Sequence, residues 1–239
     1  MQSQLRDPEN LNLEDFNYSF VKTDTWGLMH NKFCIVDNTR MLTGSMNPTK
    51  NGAYKNDNNL LIINSEILSQ NYQNEFNEMW NGTYKKGSKV RNPKVRLNEI
   101  LIETYFCPED NCLERIKDEL KDAKNEIYFM TFSFTHPSIA NILLLKNLDE
   151  VMVKGVMEAR QVTKHSQFMR LNHSGIKVVK DRNKGNMHHK VFIIDNKTVI
   201  TGSMNPTRGG NEKNDENVMI IRDKDITELF LDEFERVYT

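Results

Sequence analysis

The chain lacks several features that would fix its class at once. No stretch of its 239 residues approaches the ~18 consecutive apolar residues a membrane-spanning helix requires, and the opening Met1-Gln2-Ser3-Gln4-Leu5-Arg6-Asp7 has no apolar core of the secretory kind. A cytoplasmic location is the expectation. Cysteine is scarce: Cys34, Cys107 and Cys112 are an odd number in a chain without an export signal, which argues against a disulfide framework. Cys107-x4-Cys112 has a loose metal-like spacing, but no Cys or His pair nearby completes a site, so neither a metal nor another cofactor is expected. Neither sign of charge prevails: 32 basic against 33 acidic side chains give 32 − 33 = −1. That balance argues against a histone-like partner and leaves room for a local basic groove.

What is present is an ordinary globular composition, 38% hydrophobic and 27% charged, which excludes disorder and fibrous repeats. Its main feature is a duplication. Gly27-Leu28-Met29-His30-Asn31-Lys32 aligns with Gly185-Asn186-Met187-His188-His189-Lys190 at an offset of 188 − 30 = 158. The match continues without a gap through Asp37-Asn38 and Asp195-Asn196, Thr43–Thr49 and Thr201–Thr207, and Lys55-Asn56-Asp57 and Lys213-Asn214-Asp215, to Glu75-Phe76 and Glu233-Phe234. So long a period is a domain duplication rather than a solenoid.

The second copy begins near Arg96, and subtracting 158 from that position gives a negative number. The first copy therefore lacks the counterpart of Arg96–Glu158. Residues 1–83 read as the partial repeat, 84–95 as a polar, acid-free linker, and 96–239 as the complete repeat. Periodicity in the complete copy predicts helices over Leu113–Lys124, His136–Lys146, Lys164–Asn172 and Ile226–Val237. Strands are predicted over Leu97–Tyr105, Glu126–Ser133, Glu150–Glu158, Ile176–Lys180, Lys190–Asp195, Thr198–Thr201 and Asn217–Ile221. Alternating elements followed by a hairpin indicate an α/β fold, a mixed β-sheet flanked by helices.

On a strand, residues i and i+2 share a face while i+7 lies on the other. His30 and Lys32 therefore point together, as do His188 and Lys190, whereas Asp37 and Asp195 are assigned to the turn or to structural hydrogen bonds. Ser45 and Asn47, and likewise Ser203 and Asn205, repeat the spacing after a glycine that permits close backbone approach. Each copy offers an imidazole, an ammonium, a hydroxyl and a carboxamide, the parts that handle a phosphodiester. One set is incomplete; two facing sets supply a nucleophile and an acid for the leaving oxygen, with Ser45, Asn47, Ser203 and Asn205 as phosphate donors. His136, His165 and His173 read as ordinary loop or helix residues, His189 as facing away from His188, and Met29 and Met187 as core.

The doubled His-x-Lys-x4-Asp-x6-Gly-Ser-x-Asn pattern resembles the phospholipase D superfamily signature. The chain is most similar to the bacterial endonuclease and mitochondrial cardiolipin hydrolase branch, through Phe106-Cys107-Pro108-Glu109, Phe132-Ser133-Phe134-Thr135 and Gly202-Ser203-Met204-Asn205-Pro206-Thr207. The resemblance implies a phospholipase D-like pseudo-dimer with its first repeat truncated at the N-terminus. It also implies a metal-independent phosphodiesterase in which one His forms a phosphohistidine and the other protonates the leaving group. Family members place a carboxylate after the histidine to orient an imidazole; here Glu216 lies 216 − 188 = 28 residues on, and the aligned residue of the first copy is Asn58, beside Asp57. The His paired with Glu216 is expected to be the nucleophile, and the sequence leaves open whether that is His188 or, across the interface, His30.

Nucleic acid, DNA or RNA, is the expected substrate, because the Asn-Pro-Thr tail differs from the Gly-Ser-x-Asn-x-Asp-x-Arg-Ser run that phospholipid synthases of the superfamily resemble. Phospholipid is the alternative substrate, and a non-catalytic nucleic-acid-binding fragment the second alternative. The basic run Lys85, Lys86, Lys89, Arg91, Lys94, Arg96 reads as a solvated linker, or else, with Tyr84, as a phosphate-tracking arm. The truncated repeat leaves three further expectations: self-association, cover by another subunit, or a missing N-terminal segment.

Overall fold

A computed structural model describes Lys22, Asp24 and residues 27–239. The strands in chain order are β1 (Leu28–Met29), β2 (Phe33–Val36), β3 (Arg40–Gly44), β4 (Leu60–Asn64), β5 (Lys94–Leu97), β6 (Ile100–Cys107), β7 (Glu126–Thr131), β8 (Met152–Met157), β9 (Lys177–Lys180), β10 (Lys190–Ile194), β11 (Thr198–Gly202) and β12 (Asn214–Arg222). The helices are α1 (Lys50–Tyr54), α2 (Glu66–Trp80), α3 (Cys112–Asp122), α4 (Pro137–Leu148), α5 (Phe168–His173), α6 (Arg208–Glu212) and α7 (Lys224–Tyr238), with a 3-10 turn at Ala159–Gln161. The predicted elements of the second copy are all present, with boundaries shifted by a few residues; the largest shift is α5, which starts at Phe168 rather than Lys164.

The second copy builds a mixed sheet in the order β5-β6-β12-β11-β10-β7-β8-β9, in which β7, β8 and β9 run parallel and the other pairs antiparallel. Both faces are covered, as a sheet this apolar requires. One carries α3 and α4 over Phe129, Phe192, Ile194, Ile200, Val218 and Ile220; the other carries α7, whose Phe230 and Phe234 pack on Met130, Val191, Ile193 and Val199. The first copy contributes the three-stranded sheet β2-β3-β4 and α2. Leu68 and Tyr72 of α2, with Met41, join Ile102, Phe106, Met219 and Ile221 of the second copy in a core between the repeats.

Each repeat turns its hairpin in the same way. Asp37 and Asn38, and Asp195 and Asn196, all have φ near +50°, the left-handed pair that a twisted hairpin favours and that Asp and Asn tolerate. The glycine before each Ser is needed for approach. At Gly44 (φ +147°) a Cβ would lie 2.3 Å from the Asn59 carbonyl, and at Gly202 (φ +140°) 2.3 Å from that of Asn217.

One expectation is corrected. Cys107 and Cys112 are joined by a disulfide, with Cα atoms 5.6 Å apart, and only Cys34 is free. The cause is local: β6 ends at Cys107, the chain turns over Pro108–Asn111, and α3 opens at Cys112, returning the second sulfur to the first. The 84–95 segment is held along its length. Lys94 and Val95 already belong to β5, paired with β6, and the preceding residues are strapped down: Val90 N–H donates to Asp110, Ser88 N–H to Glu78, and Asn71 Nδ2 to the Asn92 carbonyl. Among the described residues no helix is long and apolar enough to cross a membrane.

Candidate active site

The two repeats meet by exchanging the same piece of backbone. Leu28-Met29 pairs in parallel with Asn214-Asp215, while Met187 bridges Asp57 in the equivalent place. His30 N–H donates to the Asp215 carbonyl at 2.9 Å and His188 N–H to the Asp57 carbonyl at 2.7 Å. Each His-Lys motif is therefore hung on the other repeat. These backbone hydrogen bonds make the site depend on both.

From this seam both His-Lys pairs project. Lys32 Nζ donates to the His30 carbonyl and Lys190 Nζ to the His188 carbonyl, each at 2.7 Å. An ammonium has three protons, so each retains donors for a bound anion. Burial pushes Lys32 down to about 8, partly opposed by Glu216, and holds Lys190 well below the usual lysine range, with Lys32 adding repulsion. Two desolvated cations side by side form a site that gains by receiving an anion.

The imidazoles have different partners. His30 Nδ1 is 2.7 Å from Glu216 Oε2, a fully buried carboxylate that also accepts from Ser203 Oγ at 2.6 Å and, on its other oxygen, from Asn214 Nδ2 at 3.0 Å. This settles the pairing left open by the sequence: Glu216 serves the histidine of the other repeat. His188 Nδ1 instead donates to the Ser45 carbonyl at 2.9 Å, and its ring meets Phe132 edge-on at 4.6 Å. Burial, then the neighbouring Lys190 charge, pushes His188 down to about 3. Asn58 spends its amide on the Gly52 and Asn56 carbonyls, and Asp57 accepts from Arg236 and Asn183, so among the described residues no carboxylate hydrogen-bonds His188.

Several of the predicted residues have other tasks. Ser45 and Ser203 are fully buried, their oxygens accepting from Asn59 and Asn217 N–H, and the Ser203 proton is committed to Glu216. Ser45 thereby holds its loop, and Ser203 both its loop and the carboxylate. Among the described residues the buried Asn205 Oδ1 has no hydrogen-bond partner. Asp195 accepts from the N–H groups of Lys124, Asn125 and Glu126, fixing the entry to β7. Asp37 is exposed in its turn. The threonines of both Asn-Pro-Thr runs cap helices, Thr49 Oγ1 accepting from Gly52 N–H and Thr207 Oγ1 from Gly210 N–H.

Asn59 and Asn217, which hold both serines and cross the seam, were missed by sequence reasoning. Their signal was present: they are 217 − 59 = 158 apart, one further match of the duplication. For a cation, Glu75, Glu78 and Glu109 bring carboxylate oxygens within 4.8 Å of one another. Burial and the nearby Glu109 and Asp215 charges push Glu75 up to about 9, so near neutrality it holds a proton there instead.

Residues 2–80 and 116–238 match the family model described as a cardiolipin synthase, PLD-like domain. The chain belongs to this phospholipase D-like family. Mitochondrial cardiolipin hydrolase of Mus musculus is 34% identical over 130 residues, 54% of this chain and 59% of that one. A phospholipase D of Rickettsia felis is 32% identical over 146 residues, 58% of this chain and 73% of the relative. Among solved structures, the phospholipase D family member Nuc from Salmonella typhimurium superposes with a TM-score of 0.54 at 31% identity, over 59% of this chain and 95% of Nuc. Phosphatidylserine synthase from Haemophilus influenzae gives 0.68 over 89% of this chain and 61% of the synthase; at 13% identity it shows the shared fold. The chain thus spans little more than half the length of the cardiolipin hydrolases it matches. The phospholipase D-like fold accounts for the arrangement at the seam, where two repeats each place one His-Lys pair.

Proposed function

We propose that the chain is a phosphodiesterase that cleaves nucleic acid through a phosphohistidine formed on His30. The observation that carries this reading is the inequality of the two imidazoles across one seam: a buried carboxylate on His30, a neutral carbonyl on His188. When imidazole nitrogen attacks phosphorus, the ring becomes cationic. Glu216, already 2.7 Å from Nδ1, stabilises that charge and leaves the Nε2 lone pair for attack. As the bond from phosphorus to the leaving oxygen breaks, His188 supplies that oxygen with a proton from Nε2. A bound phosphodiester, seated against Lys32 and Lys190, offsets the charges that favour neutral His188 and so helps it arrive protonated. Water then attacks phosphorus, its proton passes to His188, and the phosphorus–nitrogen bond breaks.

Nucleic acid is favoured by the basic strap. Lys85 N–H bonds the Asp215 carboxylate next to Glu216, and the exposed Lys86, Lys89 and Arg91 follow directly, giving a polyanion charges to track away from the site. Phospholipid is the second reading, supported by 34% identity to cardiolipin hydrolases.

The test is turnover of a single-stranded oligonucleotide and of cardiolipin vesicles in excess EDTA, with trapping of the phosphoenzyme. Oligonucleotide cleavage with label on the His30 peptide is expected. Cleavage of lipid alone reassigns the substrate, label on His188 reverses the roles, and dependence on added metal overturns the mechanism. His30→Ala and His188→Ala should each lower turnover by at least about 10³-fold.

A further inference from the structure

We propose that Asn59 and Asn217 are positioning residues, each a carboxamide that locks one catalytic histidine to its Nδ1 partner across the seam between the repeats. The inference rests on the phosphodiesterase reading for its effect on turnover, but its geometry stands apart from it.

Asn59 holds His188 from two sides. Its main chain clamps the residue that orients the ring: the Asn59 carbonyl accepts from Ser45 N–H at 3.1 Å, its N–H donates to Ser45 Oγ at 3.0 Å, and the Ser45 carbonyl receives His188 Nδ1. Its side chain reaches into the other repeat and grips the strand that carries the same histidine. Asn59 Nδ2 donates to His189 Nδ1 at 3.1 Å, and Asn59 Oδ1 accepts from Thr201 Oγ1 at 3.1 Å. His189 is buried behind His188, as alternation along an extended chain requires, and its Nε2 donates to Glu233 at 2.9 Å.

Asn217 repeats the device for His30. Its carbonyl accepts from Ser203 N–H, its N–H donates to Ser203 Oγ, and Ser203 holds Glu216 against His30. Its Nδ2 donates to Asn31 Oδ1 at 2.9 Å, immediately behind His30, while its Oδ1 accepts from Thr43 Oγ1 at 3.1 Å. Asn31 in turn faces Glu75 as His189 faces Glu233. The two copies of the duplication thus preserve the same four-membered arrangement, with Asn31 in one place where His189 stands in the other.

The chemistry demands asparagine. One side must donate to the residue behind the histidine and the other accept from a threonine hydroxyl; aspartate lacks the donor and leucine lacks both groups. An Asn217 buried without these partners would leave several polar groups unsatisfied. Because the amide and the main chain that clamps the serine belong to one residue, a shift of either repeat moves the ring and its acceptor together. Misplacement by about 1 Å is enough to cost about 10²-fold in rate.

The duplication supplies its own control. His189→Asn installs behind His188 the group that already stands behind His30, with an oxygen for Asn59 and an amide for Glu233. His189→Leu fills the space without either bond. Both variants, with Asn59→Ala, are to be compared with the intact chain by long-range nitrogen–proton NMR of the imidazoles, thermal unfolding and kinetics on the oligonucleotide. The expected result is the His188 Nδ1–H tautomer retained in His189→Asn, with kcat within about 3-fold, and lost in Asn59→Ala and His189→Leu, with kcat down about 10- to 100-fold and KM little changed. If folded Asn59→Ala or His189→Leu keeps the tautomer, or His189→Leu performs as well as His189→Asn, the side chains only fill space and the proposal is overturned. A tautomer change in a chain whose parent cleaves neither substrate upholds the lock and overturns the catalytic reading instead.

Discussion

Strands β2 and β10 hold equivalent places in the two repeats and carry similar side chains, yet one is open and the other enclosed. Along Phe33–Val36 half-buried and exposed residues alternate, whereas every residue of Lys190–Ile194 is buried. The outward residues Cys34, Val36, Leu42, Leu60 and Ile62 correspond to Phe192, Ile194, Ile200, Val218 and Ile220, all in the core beneath α3 and α4. Ile62 is 63% exposed and Ile220 1%. Among the described residues β2 pairs only with β3. The same pattern of sequence thus serves two environments, and the seam between the repeats lies on the side where they agree: β1 with β12 and Asp57 with Met187.

The sharpest way to break this comparison is to charge both faces. Ile220→Lys buries an unpaired ammonium and should destabilise by at least about 4 kcal/mol in chemical unfolding, while Ile62→Lys should stay within about 0.5 kcal/mol. Equal losses would show that the outer face of the first repeat is covered in solution.

The next contrast concerns the inequality of the histidines. Glu216→Gln keeps an acceptor for His30 but removes the negative charge, and kcat should fall by about 10- to 100-fold. Asn58→Asp, at the equivalent place, should yield no gain in kcat, since the side chain faces the Gly52 and Asn56 carbonyls rather than His188. A gain would mean that the second imidazole also wants a carboxylate.

The smallest effect separates the two turn aspartates. Asp195→Ala loses three backbone hydrogen bonds and should cost about 1–2 kcal/mol, while Asp37→Ala should change stability by less than about 0.5 kcal/mol. Backbone N–H groups hold the Asp195 carboxyl below its ordinary value against the opposing effect of burial. Its folded-state pKa is therefore lower than the unfolded one, so its contribution is present in full above the unfolded value near 3.8 and is lost as pH falls through the folded value. Unfolding curves of the parent and Asp195→Ala should converge in acid.

The pattern of elements was legible because apolar alternation and period record which faces are buried in a regular repeat. His30, Lys32, His188 and Lys190 were legible because the motif occurs twice. The Cys107–Cys112 bridge escaped, since proximity there comes from the turn between β6 and α3 and compartment rules carry no such geometry. The pairing of Lys94 and Val95 with β6 was hidden for a similar reason: polar residues without acids carry no periodic signal, yet can still pair their backbone. The bonds of Ser45 and Ser203 to Asn59 and Asn217, and of Ser203 to Glu216, were not legible, because composition cannot tell which partner a hydroxyl takes.

By itself the sequence determined the duplication, the strand and helix order of the complete repeat, and the residues that each repeat brings to the seam. These follow from identity at fixed spacing and from periodic burial, both written along one dimension. Only the tertiary structure decided that Glu216 serves His30, that His188 rests on a carbonyl, and that Asn59 and Asn217 fasten the seam. Those bonds join residues 130 to 186 positions apart, and which of several equivalent donors reaches a given acceptor is set by how the two repeats dock.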